Sequence, residues 1–251
     1  MPKRLMCVDK EKLEWEEYNE PELKPGQVRV KSLFSAAKHG TEMAVFKGYT
    51  HDRGGFDAEL GIFIKDAESF LGYPAGVGNM VVGDVIEVGP EVTSLKCGDR
   101  VVAYAGFAET HVLPERKCRM VPDGVSWKSA VCLDPLDFAL SAVRDGQIRI
   151  GDTVAVFGLG AIGLMAVQAA RLSGAIQVFA VDPLPSRREI ASELGTDSVL
   201  DPTSCDVGFH IKKSTPSHGV DVAIEYSGSP HALCLLYTSD AADELDGVDL
   251  G

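Results

Sequence analysis

At 251 residues the chain can bury one large core or two modest ones, and a hydrophobic content of 45% suits a globular protein. The formal net charge of −13 speaks against nucleic acid or an acidic membrane surface as a partner, since a phosphate binder needs a basic face. Six cysteines, at 7, 97, 118, 132, 205 and 234, include no Cys-x-x-Cys pair and read as reduced, mostly buried thiols of a cytoplasmic protein.

The chain opens MPKRLMCVDKEKLEWEE, which turns acidic before any apolar run develops and so does not read as a signal peptide. Gln27–Leu33 alternates polar and apolar residues at period two, as a half-buried strand does. A polar break, SAAKHGTEMAVFKG, follows at 35–48. Met80–Val88 is a β-branched run ended by Gly-Pro, and Arg100–Ala105 and Glu109–Leu113 are two further short strands. Such spacing predicts a partly open barrel or sandwich.

From Leu133 the pattern changes. Pro135–Arg144 is an amphipathic helical stretch, and strand and helix then alternate. The expected strands are Thr153–Phe157, Gln177–Val181, Ser198–Leu200 and Val220–Glu225, and the expected helices Ala161–Gly174 and Arg187–Leu194. That order predicts parallel βαβ units. Thr153–Ala170 is apolar, but three glycines interrupt it, and it is read as part of these units rather than as a membrane span. Two domains are therefore expected: a β-rich one over residues 1–145 and an α/β one over 146–233.

Phe157–Gly163 reads FGLGAIG, placing Gly158, Gly160 and Gly163 in a Gly-x-Gly-x-x-Gly pattern between a strand and a helix. Asp182 ends the next strand. In that setting the pattern is a dinucleotide signature. Gly158 makes the tight turn, Gly160 lets the backbone approach a pyrophosphate, and Gly163 lets the helix pack on the strand. The intervening Leu159, Ala161 and Ile162 complete the backbone cradle at the helix N-terminus. Asp182 is expected to accept hydrogen bonds from the adenosine ribose and to repel a 2′-phosphate, which favours NAD over NADP. Arg187 is expected along the adenine face, although an arginine there could also pair with a 2′-phosphate.

The glycine unit within GDTVAVFGLGAIGLMAVQAARLSGA, together with VGDVIEVGPEVTSLKCGDRVVA and DPLDFALSAV, resembles the medium-chain dehydrogenase/reductase family. The resemblance implies a GroES-like domain followed by a Rossmann domain, and hydride transfer between nicotinamide and an alcohol or carbonyl. It also implies a small-molecule substrate and a homo-oligomer. The polyol and threonine dehydrogenase branch looks most similar, pointing to a secondary alcohol on a polyol or sugar-like molecule.

In zinc-dependent members of that family, three loops supply the metal ligands. Here the matching positions read His39-Gly40-Thr41-Glu42, Gly78-Asn79-Met80 and Asp134-Pro135-Leu136. Histidine stands where cysteine is usual, asparagine where histidine is usual and methionine where glutamate is usual; the four-cysteine structural lobe is also missing. A catalytic zinc wants three good protein ligands, and a neutral amide is a poor one. The expectation is an unmetallated site in which Thr41 relays a proton, His39 acts as general acid or base, and Asp134 orients His39. The alternative is a zinc enzyme with an unusual His39/Asp134/Glu42 set. More ordinary readings also stand: a loop histidine for His39, a helix N-cap for Asp134, surface or strand positions for His51 and His111, and a solvated Lys38.

Tyr49–Tyr73 is longer than the family's usual link and could rim the substrate cleft. After Leu233 the chain reads CLLYTSDAADELDGVDLG. Cys234–Glu244 resembles a translated transposon-based sequencing adapter, so 234–251 is expected to be a non-native tail, with an acidic disordered tail as the alternative. The Rossmann unit is then incomplete. A parallel sheet short of its far strands keeps an open edge, so this polypeptide alone is expected to be poorly soluble or inactive, a nucleotide-binding fragment at most.

Overall fold

The computed structural model describes residues 1–49, 54–64, 72–215 and 218–232, and the chain divides into two compact units, Met1–Val131 and Cys132–Gly251. The division falls earlier than the expected boundary at 145/146. The reason is packing: Ala139 and Val143, on the helix expected to close the first domain, are buried in the core of the second unit.

The first unit is antiparallel. β1 (Lys3–Asp9), β2 (Lys12–Glu17) and β6 (Ala75–Gly76) form a three-stranded sheet in the order β2-β1-β6. β3 (Gln27–Ala36), β7 (Met80–Val88), β8 (Arg100–Tyr104), β9 (Thr110–Pro114) and β10 (Arg119–Met120) form a five-stranded sheet in the order β10-β8-β7-β3-β9. The two sheets meet at a bridge between Arg4 and Ala108. β3 alternates as its sequence requires, sending Val28 and Val30 into a cluster with Val85, Leu95 and Val101. β7, flanked on both sides, opens with four consecutive buried residues, Met80 to Gly83. Helix α1 (His39–Phe46) follows β3, and a short helix, α2 (Trp127–Ala130), closes the unit.

β4 (Gly55–Asp57) and β5 (Ile62–Ile64) pair as a hairpin inside the segment read as a cleft rim. Residues 50–53 and 65–71 of that segment, His51 among them, lie outside the described residues, as does the stretch 234–251.

The second unit has a parallel sheet in the order β13-β12-β11-β14, built from β11 (Thr153–Phe157), β12 (Gln177–Val181), β13 (Ser198–Leu200) and β14 (Val222–Glu225). Its helices are α3 (Leu133–Asp145), α4 (Ala161–Leu172), α5 (Pro185–Glu193) and α6 (Val207–Ser214). Strand alternation sorts side chains between two cores. Val154, Val156, Val178 and Ala180 join the α3 and α4 side, while Ala155, Phe157, Phe179 and Val181 join Val207 and Ile211 of α6. Both faces being covered, β11 and β12 read as unbroken apolar runs.

Local corrections follow from helix-end chemistry. α3 begins at Leu133, with Cys132 as N-cap, so Asp134 is not the N-cap but lies inside the first turn, where Pro135 is tolerated because its nitrogen needs no partner. α5 begins two residues earlier than expected because Pro185 occupies its first helical position. The cysteines are less buried than expected. Cys7 is buried and Cys97 exposed, while Cys118, Cys132 and Cys205 are intermediate, and these five are thiols rather than disulfides. Burial pushes the Cys118 thiol up to about 11, so it stays protonated and inert. Among the described residues, no helix is long and apolar enough to cross a membrane.

His111 on edge strand β9 faces Val30, and its Nε2 is buried without a hydrogen-bond partner among the described residues. Burial holds its pKa below the ordinary value of 6.5. The unfolded chain therefore binds the proton at higher pH than the fold does. This position's contribution to stability is intact above about pH 6.5 and is lost as pH falls through the folded value. Thermal melts between pH 7.5 and 5 should show His111→Phe losing less stability on acidification than the wild type; parallel curves would contradict this.

Candidate functional site

β11 ends at Phe157, and the chain turns at once. Gly158 sits at φ +88, and a Cβ there would meet the Ser227 nitrogen at 2.4 Å. Only glycine accommodates both the left-handed backbone and that approach. At Gly163 a Cβ would stand 1.9 Å from the Gly158 carbonyl oxygen, so this glycine seats α4 on the turn. Gly160 differs: a Cβ there would meet nothing within 4 Å. It is the N-cap of α4 and supplies no side-chain cap, so the first N–H groups of the helix face open space beside a backbone free of side-chain cover. An anionic group fits that cradle.

Asp182, immediately after β12, is 2% exposed. Its Oδ2 accepts from the Leu159 N–H at 2.8 Å and its Oδ1 from the Leu184 N–H at 2.8 Å. Arg187 approaches Oδ2 at 3.3 Å, so its guanidinium is directed at this carboxylate. The structure thus brings Gly158–Gly163, Asp182 and Arg187 together, while the Leu159 side chain is spent on the core. A carboxylate has about four lone-pair sites, so two backbone bonds leave room for a further donor.

A cavity of about 530 Å³ opens beside them, lined in part by Gly158, Val181, Pro183, Thr203, Ser229 and His231. It lies at the C-terminal ends of the parallel strands, where open α/β sheets bind ligands. Two acidic residues organise its loops. Asp201 accepts from the Thr203 N–H at 2.9 Å and hydroxyl at 2.6 Å. Glu225, ending β14, accepts from the Ser227 N–H at 2.6 Å and the Gly228 N–H at 3.1 Å. The sequence reading missed both, although Asp-Pro-Thr-Ser and Glu-Tyr-Ser-Gly after short strands are recognisable carboxylate-turn signals.

The other candidate residues lie in the first unit. His39 and Thr41 are exposed on the first turn of α1. Two hydrogen bonds hold this turn against the loop before β7: Asn79 N–H to the Ala36 carbonyl at 3.0 Å, and Gly78 N–H to Glu42 Oε2 at 2.9 Å. His39, Thr41, Glu42 and Asn79 are therefore neighbours in the fold, although some forty residues separate them in sequence. Asp134, 3% exposed, belongs to the second unit.

Residues 24–166 match the alcohol dehydrogenase GroES-like domain, and residues 161–239 match the zinc-binding dehydrogenase domain. The chain belongs to the alcohol dehydrogenase-like, medium-chain dehydrogenase/reductase family. Among its relatives, a D-guloside 3-dehydrogenase of Escherichia coli K12 is 42% identical over 226 residues, covering 86% of this chain and 64% of the relative. An L-threonine 3-dehydrogenase of Caldanaerobacter subterraneus is 32% identical, covering 71% of this chain and 60% of the relative. The crystal structure of 2R,3R-butanediol dehydrogenase from Bacillus subtilis superposes with a TM-score of 0.79 at 27% identity, over 96% of this chain and 74% of that one. The chain thus spans less than two thirds of the length of the guloside and threonine dehydrogenase relatives.

Zinc is implied by the description of the second domain, and the residues present do not fit it. Glu42 already accepts from a backbone N–H, Asn79 offers a neutral amide, and His39 stands exposed beside them. Among the described residues, no three His, Cys, Asp or Glu side chains converge on a common point. A nicotinamide dinucleotide does fit, on the open Gly160 backbone and the uncapped helix start.

The three glycines separate folding from binding. Gly163→Ala should lower the melting temperature by an amount equivalent to about 1–3 kcal/mol of overpacking. Gly160→Ala should leave the melting temperature unchanged and weaken dinucleotide binding several-fold by calorimetry. If Gly160→Ala bound NAD like the wild type, the pyrophosphate would not lie on this turn.

Proposed function

We propose that the protein is an NAD-dependent dehydrogenase acting on a secondary hydroxyl of a polyol or sugar-like molecule, without a catalytic zinc. One observation carries the cofactor reading: a buried carboxylate, Asp182, stands bonded to the glycine turn itself, with the Arg187 guanidinium directed at it. A negative charge held there repels a 2′-phosphate, and the arginine that could have received that phosphate is engaged with Asp182. The similarity to a guloside 3-dehydrogenase supports the substrate class.

A bound NAD would supply the hydride acceptor for alcohol oxidation, or the donor, as NADH, for the reverse. The chain's own residues do the rest. The Gly158–Gly163 turn and the start of α4 hold the diphosphate, and Asp182 accepts from the ribose hydroxyls. In the first unit, the Thr41 hydroxyl both donates and accepts, so it can pass the alcohol proton outward. His39 is the neighbouring group able to take that proton. The free thiols support a cytoplasmic setting, and a homo-oligomer is the proposed assembly.

Calorimetry tests the cofactor. NAD should bind more tightly than NADP, and Asp182→Ala should weaken NAD by about tenfold, the scale of one or two hydrogen bonds to a charged group. Equal affinities for NAD and NADP would sink the assignment.

Turnover of a panel of polyols and glycosides, followed at the NADH absorbance band, tests the chemistry. Thr41→Ala should slow turnover by about 10²-fold or more while NAD binding is retained, the range for loss of a general acid–base group. Elemental analysis should find far less than one zinc per chain. Stoichiometric zinc with chelator-sensitive activity would instead support the His39/Asp134/Glu42 set.

A further inference from the structure

We propose that Arg188 is the positioning residue for the adenosine side of the cavity, locking the end of β12 to the loop after β13. The inference rests on the dinucleotide reading above.

The side chain of Arg188 is 17% exposed, and its guanidinium spans two strand ends. Nη1 donates to the Asp182 carbonyl oxygen at 2.6 Å, and Nη2 lies 3.0 Å from Asp201 Oδ2. Each contact falls one residue before a stretch that lines the cavity: Pro183 follows Asp182, and Pro202 and Thr203 follow Asp201. Between these strand ends the Asp182 N–H to Leu200 carbonyl bond, at 3.2 Å, continues the sheet ladder. Beyond it the strands diverge into loops, and the guanidinium fixes their separation.

The Asp201 carboxylate is the hinge of this arrangement. One oxygen meets Arg188 and the other closes the turn onto Thr203, so the arginine's position is passed to the cavity wall through a single planar group. The Thr203 bonds, then the charge and hydrogen bond of Arg188, hold the Asp201 carboxyl below its ordinary range. A planar fork with two donors at fixed spacing suits a carbonyl and a carboxylate together; an ammonium is a point charge and holds one of them well. Arg187, the neighbouring residue, has a different task, since it faces the Asp182 carboxylate that the ribose would use.

Binding of ADP-ribose, the probe that carries the adenosine half, tests this by calorimetry. Arg188→Met should weaken ADP-ribose about tenfold, the scale of a charged hydrogen-bonded contact. Arg188→Lys should recover part of the loss. Asp201→Asn should also weaken the probe, and the double variant should be no weaker than Arg188→Met, because both changes cut one tie. Nicotinamide mononucleotide, which lacks the adenosine half, should bind all variants alike.

Affinities within twofold of wild type for Arg188→Met would overturn the proposal, as would equal losses for both probes or additive losses in the double variant. Should Arg188→Met not fold, Arg188→Lys and Asp201→Asn decide, and two wild-type affinities overturn it. A wild-type protein that binds no ADP-ribose removes the dinucleotide reading and this assignment with it; a wild type that binds while the variants are unchanged removes this assignment alone.

Discussion

The Asp182 carboxylate is the constraint on which the second unit's site depends. Taking a carboxylate out of water costs several kcal/mol unless its lone pairs are met. Here the compensation comes from the backbone, through the N–H groups of Leu159 and Leu184. The bond to Leu159 pins the glycine turn to the end of β12, and the bond to Leu184 sets the entry to α5. One buried charge thus positions the turn and the helix that carries Arg187 and Arg188. Losing it would leave the buried Leu159 N–H without its acceptor and free the entry to α5.

The same device recurs along the sheet. Asp182, Asp201 and Glu225 follow or end β12, β13 and β14, and each turns its side chain back to collect the N–H groups of its own loop. Chain leaving the end of a parallel strand has lost its ladder partners, and a carboxylate acceptor replaces them locally. The loops that reach the cavity are therefore closed locally, by carboxylates that lie behind its lining residues rather than among them.

Much of this was legible in the residues. Thr153–Phe157, Gln177–Val181 and Ser198–Leu200 form strands at the expected bounds, because fully buried parallel strands are continuous apolar runs with sharp polar ends. The Gly-x-Gly-x-x-Gly spacing carried its own geometry, since Gly158 and Gly163 each answer a separate steric demand while Gly160 leaves the backbone open. What was not legible depends on partners distant in sequence. The β4–β5 hairpin is a local exception: its strands are three residues each, too short for a periodicity, and Asp57, accepting from the Glu59 and Leu60 N–H groups, makes the turn. The tie between Glu42 and Gly78 joins two loops that no periodicity connects. The placement of Asp134 in the second unit follows from how α3 packs, which its amphipathic pattern alone leaves open.

The first unit poses the harder chemical problem, and Glu42 shows why. A carboxylate beside a histidine and an asparagine reads, from residue types alone, as the remainder of a metal site. In the fold its oxygen is committed to the Gly78 N–H, and that bond holds the loop bearing Asn79 against the α1 turn bearing His39 and Thr41. Its task in the fold is to keep that loop beside the exposed turn on which a hydroxyl and an imidazole stand two residues apart. Under the zinc-free reading proposed above, substrate polarisation would come from hydrogen-bond donors, and the reaction would depend on how firmly the Glu42–Gly78 bond places them.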